Sequence, residues 1–131
     1  MVISAALVDE LVAHAREELP NECCGIIATK DGEAMKVFPA ANTYASPLRY
    51  EIDSKDLIKI YLEIEGEGWE LGGIYHSHTK SPAVPSQTDI NEARWPDAVY
   101  LIVSLADAAN PDVRAYRIAD SKVSEVELAI R

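Results

Sequence analysis

The sequence is poor in cysteine, in positive charge and in long apolar runs, and each shortage closes a class of function. Only two cysteines occur in 131 residues, side by side as Cys23 and Cys24. Neighbours in sequence rarely pair with each other, so no disulfide framework is expected, and a reducing cytoplasm is the default setting. Lys and Arg number 12 against 22 Asp and Glu, a net charge of −10. Nucleic acid and anionic membrane surfaces are gripped by clustered cations, so neither is expected as a partner. No apolar run approaches the roughly 20 residues of a membrane span. The opening "MVISAALVDELVAHAREELP" carries acids throughout and lacks a basic n-region, so it does not read as a signal peptide.

A 48% hydrophobic and 26% charged composition suits a globular core. With no repeat, linker or low-complexity tract, residues 1–131 read as one domain. From Ser4 to about Glu18, the apolar positions Val8, Leu11, Val12, Ala15 and Leu19 fall on one helical face, with Pro20 just past the end. "CCGIIAT" suits a buried strand, "KDGE" a hairpin turn and "AMKVFPA" the return strand. A loop over residues 40–50 leads to a short strand at "RYEI". Asp53 or Ser54 then caps a second helix with a Leu57, Ile60, Tyr61, Ile64 stripe that ends near Gly66 to Gly68. "ELGGIYHSH" reads as a central strand, and Gly72 and Gly73 in it imply close backbone approach. "SQTD" from Ser86 has the Ser-x-x-acid pattern that opens a helix. "AVYLIVSL" is a strand, and "VRAYRIA" with "KVSEVEL" forms a closing hairpin. The expected architecture is α/β, with a mixed sheet of six or seven strands, two long helices and a short third one.

The chemistry concentrates in "HSHTKSPAVPSQTD". Residues i and i+2 of a strand point to one side, so His76 and His78 converge if "IYHSH" is extended. Ser86 and Asp89 share one face of the short helix, and the linking loop contains Pro82 and Pro85. On spacing alone, a metal site and an ordinary polar loop both remain open. Two His and one Asp would make three protein ligands with one open position, the arrangement of catalytic zinc. A hydrolytic site also needs a proton acceptor. Glu22, at the mouth of the "CCGIIAT" strand, is a candidate, though spacing does not separate it from Glu51, Glu70 or Glu92. His14 reads as solvated and without a role. Cys23 and Cys24 could serve redox sensing or accessory metal binding, but two small buried residues is the favoured reading.

The stretch resembles the JAMM motif of the MPN-domain metallopeptidases: His-x-His, seven residues, Ser, two residues, Asp. All four fixed positions are filled with that spacing, and "NECCGIIA" is similar to the family's upstream Glu, followed by Cys and Gly. "YHSHT" and the ending "AYRIAD" resemble in particular the short bacterial sulfur-carrier-protein cysteine peptidases of the Mec type. The resemblance implies a single-domain MPN/JAMM fold, cytidine-deaminase-like in architecture. A deaminase itself is not expected, since its His-x-Glu and Pro-Cys-x-x-Cys are absent. The resemblance further implies one catalytic Zn2+ held by His76, His78 and Asp89, with Glu22 as proton acceptor and Ser86 as oxyanion donor. Its partner would be a ubiquitin-like sulfur carrier with a C-terminal Gly-Gly tail, cut to release cysteine. "SPLRY" matches the region where relatives align that tail, so Leu48, Arg49 and Tyr50 are candidate substrate-binding residues, against the alternative of a plain loop. The alternatives in function are an isopeptidase that removes a ubiquitin-like modifier from lysine, and a non-catalytic MPN scaffold.

Overall fold

The hairpin read at "KDGE" turns on Asp31 and Gly32, whose φ angles are 51° and 79°. Two successive left-handed residues are what a two-residue turn needs to match the twist of its strands. The turn joins β2 (Cys24–Lys30) to β3 (Glu33–Ala40) in a computed structural model that describes residues 1–131. The other strands are β1 (Val2–Ile3), β4 (Glu70–His78), β5 (Val99–Ser104), β6 (Asp112–Ala119), β7 (Lys122–Val126) and β8 (Ala129–Ile130). All join one mixed sheet in the order β7-β6-β5-β4-β2-β3-β1-β8. The eighth strand exceeds the expected six or seven because β1 and β8 are only two residues long and pair with each other at one edge.

Alternation along the strands sorts the side chains into two layers. Ile27, Tyr75, Leu101 and Val103 face α1 (Ala5–Glu17), which buries Leu11 and Ala15 against them. Ile26, Ala28 and Phe38 face α2 (Ser54–Gly66), which buries Ile60 and Ile64. Ile74, Tyr100 and Ile102 lie beside them and pack on Ile90 of α3 (Gln87–Glu92). Each helix opens on a side-chain cap: Ser4 for α1, Asp53 for α2 and Ser86 for α3. Leu19 and Tyr61, expected on the buried stripes, are instead 48% and 49% exposed. Leu19 lies beyond the end of its helix, and Tyr61 stands one step off the face that carries Ile60 and Ile64. No helix is long and apolar enough to cross a membrane.

Two other expectations are corrected. "RYEI" forms no strand, only one antiparallel bridge between Asn42 and Ile52. His14 is not solvated: it is buried, and its Nδ1 meets the Tyr75 hydroxyl at 2.7 Å. Tyr75 is itself fully buried in β4, so this bond ties α1 to the back of the central strand. Its ring has room only because residue 25 has no side chain, since a Cβ on Gly25 would lie 2.4 Å from it. The close approach expected at Gly72 is also present, where a Cβ would meet Thr29 Oγ1 at 2.0 Å.

Candidate metal centre

β4 lies between β2 and β5, antiparallel to the first and parallel to the second, so its backbone is fixed on both sides. His76 and His78 share the face that carries Ile74, and α3 packs across that face. The result is convergence of three buried ligand atoms. Asp89 Oδ2 lies 3.1 Å from His76 Nε2 and 3.0 Å from His78 Nε2, and the two Nε2 atoms are 3.2 Å apart. A tetrahedral ion bound at about 2.0–2.1 Å, as zinc is, spaces its ligands about 3.3 Å apart. The triangle therefore has nearly the size of one tetrahedral face.

The proton positions support the same reading. His78 Nδ1 lies 2.8 Å from the Pro82 carbonyl, to which it can only donate. In the neutral ring this leaves Nε2 bare, facing a carboxylate oxygen. Two lone pairs at 3.0 Å repel each other unless a cation or a proton lies between them. Without a metal, the proton answers: although burial opposes it, the hydrogen bonds to Asp89 and Pro82 raise the His78 pKa above its ordinary value. His76 moves the other way, lowered chiefly by burial. Burial also works against the Asp89 carboxylate, but hydrogen bonds from both histidines and the Ser86 backbone hold its pKa well below the usual range. The donor set fits a divalent ion.

The antiparallel pairing of Cys24 with His76 carries Glu22, two residues earlier, to the neighbourhood of His78. Glu22 is 4% exposed and its Oε1 has no partner. Burial is the main cause that pushes its pKa up to about 8. The other acids that spacing left open do not reach this position. Glu51 and Glu70 are exposed, and Glu92 is engaged by Arg49 at 2.5 Å.

A family model described as prokaryotic homologs of the JAB domain matches residues 4–119. The chain belongs to the JAB family. This is the JAMM/MPN group of metallopeptidases that the motif resembles. The chain is 40% identical over 127 residues to the CysO-cysteine peptidase of Mycobacterium tuberculosis, covering 95% of this chain and 87% of that protein. It is 40% identical over 110 residues to the desampylase of Haloferax volcanii, 78% of each chain. The solution structure of protein DSY2949 from Desulfitobacterium hafniense superposes with a TM-score of 0.91 at 32% identity, over 100% of this chain and 93% of that one.

Further side chains of the JAB site frame the triangle. Ser86 caps α3: its Oγ accepts the Asp89 N–H at 3.1 Å, while its own N–H donates to Asp89 Oδ2 at 2.9 Å. The serine's hydroxyl proton is left free to donate. Leu48, Arg49 and Tyr50 line the near edge. Leu48 is 81% exposed, Arg49 pairs with Glu92 and lies 4.0 Å over the Tyr44 ring, and the Tyr50 ring stacks on His76. A cavity of about 330 Å3 opens beside Asp89, walled by Tyr50, Leu57, Trp95 and Tyr100. Asn42 went unnoticed in the sequence. Its amide donates to the carbonyls of Glu22 and Arg49, and its oxygen accepts the N–H groups of Tyr44 and Glu51. The available signal was an asparagine entering a loop, a residue that commonly satisfies nearby backbone. Cys23 and Cys24 are free, buried and pushed up to about 12 by burial, so they behave as small core residues, as favoured.

The metal-free protein should lose stability as pH rises from about 6.5 to 8. Glu22 and His78 both bind a proton more tightly when folded, and stability gained that way is lost through the folded pKa. His14 and His76 are lowered, so above 6.5 they are neutral in both states and add no slope. Thermal melts of chelated protein across that window check this, and Glu22→Gln should flatten the decline. A wild-type Tm that is constant or rises over the window contradicts it.

Proposed function

We propose that residues 1–131 form a zinc peptidase domain that cuts the bond after the C-terminal Gly-Gly of a ubiquitin-like sulfur carrier. The product is free cysteine, released for cysteine biosynthesis in the cytoplasm. The observation that carries the reading is the unpartnered, buried Glu22 carboxylate beside the His76, His78, Asp89 triangle. The 40% identity to a CysO-cysteine peptidase over 95% of the chain supports the substrate class.

His76, His78 and Asp89 would hold the zinc, which when bound would supply Lewis acidity to the scissile carbonyl and to the attacking water. Glu22 takes the proton from the attacking water. Burial pushes the Glu22 pKa up to about 8, where one carboxyl group can accept a proton and give it back near neutral pH. Glu22 then delivers that proton to the leaving amine. Ser86 donates its free hydroxyl proton to the oxygen that gains negative charge. Leu48, Arg49 and Tyr50 offer an edge along which an extended tail can lie, as in β-strand addition.

The test is mass spectrometry of a carrier–cysteine adduct incubated with zinc-loaded protein. The adduct should lose one cysteine, and an intact adduct would refute the proposal. A lysine-linked modifier belongs in the same experiment, because the desampylase similarity favours isopeptide cleavage as the second reading. Faster cleavage of the lysine linkage would select it. A non-catalytic scaffold is disfavoured by the complete ligand set. Ser86→Ala should lower kcat by about 10²–10³-fold through loss of one oxyanion donor. It should also destabilise α3 by about 1 kcal/mol through loss of the cap. Steady-state kinetics and a melt separate the two effects.

A further inference from the structure

His76 and His78 are oriented by different means. A metal-ligating histidine nearly always donates its second ring N–H to a carboxylate, a carbonyl or water, which fixes the ring. His78 does so, to the Pro82 carbonyl at 2.8 Å. His76 does not: its Nδ1 is buried and has no partner in the protein. What His76 has is Tyr50, whose ring stacks on the imidazole with centroids 4.3 Å apart and planes inclined by 19°. We infer that Tyr50 is a positioning residue for His76, and that its ring stack, rather than a hydrogen bond from another protein group, aims Nε2 at the metal.

Tyr50 is well held for that task, although it lies in a segment without regular structure. The carbonyl of Arg49 and the N–H of Glu51, on either side of it, are both bound by the Asn42 side chain. Arg49 reaches Glu92 on α3, the helix that carries Asp89. Tyr50 also packs against the core cluster that contains Ile74 and Tyr100. Two ligands of the triangle are thus braced by one short segment, His76 through the Tyr50 ring and Asp89 through the Arg49–Glu92 pair.

The inference rests on the triad being the zinc site, and the experiment separates the two claims. Zinc affinity is measured by competition with a chromophoric chelator for the wild type, Tyr50→Leu and Tyr50→Phe. The visible spectrum of each Co2+ derivative is recorded as well, since it reports ligand geometry without turnover. Tyr50→Leu should weaken zinc by about 10–100-fold, the usual effect of losing an outer-shell orienter, and alter the Co2+ bands. Tyr50→Phe keeps the ring and should match the wild type in both. Tyr50→Met replaces Tyr50→Leu should the latter not fold. Wild-type zinc affinity and spectrum in the ringless variant overturn the inference alone. So does a Phe variant as weak as the Leu one, which would assign the effect to the hydroxyl. A wild-type protein that takes up no zinc overturns the metal reading, and this inference with it.

Discussion

Glu22→Gln should lower kcat by about 10²–10⁴-fold, the span lost with a positioned general acid–base. That corresponds to about 2.7–5.4 kcal/mol of barrier. The substitution keeps the shape of the side chain and removes its ability to hold a proton reversibly. The site makes this consequential, because no other carboxylate stands ready. Asp89 is engaged by both histidines, while Glu51 and Glu70 are exposed and Glu92 is paired with Arg49. Zinc affinity should stay near that of the wild type, since Glu22 lies outside the ligand triangle. Single-turnover kinetics on metal-replete protein, with metal content measured alongside, provide the check. A Gln variant that binds zinc and turns over normally would remove Glu22 from the mechanism.

Chelation should abolish turnover and lower the melting temperature at neutral pH. Saturation at a thousandfold excess over Kd is worth about 4 kcal/mol, on the order of 10–15 °C for a domain of this size. The effect should be large because without the ion the three buried ligand atoms, 3.0–3.2 Å apart, are held together only by a proton taken up between His78 and Asp89. Adding zinc should restore both melting temperature and turnover. Magnesium should restore neither, because it prefers six oxygen ligands in octahedral geometry. Calorimetry of chelated and reloaded protein decides the matter. Equal melting temperatures in the two states would mean that the triad holds no metal.

What could be read from the sequence was whatever depends on short spacing. The two histidines converge because strand side chains repeat every two residues. Asp89 reaches them because a serine three residues earlier caps the helix that presents it. The central strands follow from short continuous apolar runs, and both long helices from their 3.6-residue apolar period. Contacts made by single side chains across long separations were not legible. His14 meets Tyr75 across 61 residues, and nothing near His14 signals a buried partner. Asn42 acts through four backbone groups of a loop, so its role exists only once the loop is closed. That closure is also why "RYEI" is not a strand. The Asn42 side chain takes the Arg49 carbonyl and the Glu51 N–H, groups that a sheet neighbour would otherwise bind. The edge strands β1 and β8 are two residues each, too short to show any period.

The capping box of α3 has a kinetic consequence. One oxygen, Asp89 Oδ2, both accepts the Ser86 N–H and faces the two histidines. The helix it belongs to has six residues, far below the length at which a helix persists by itself. Breaking the cap and withdrawing the ligand are therefore one event. Exchange of a metal held at the triangle should proceed at the pace at which this turn and a half opens. Hydrogen exchange at the Ser86 and Asp89 amides would then keep the same clock as metal release.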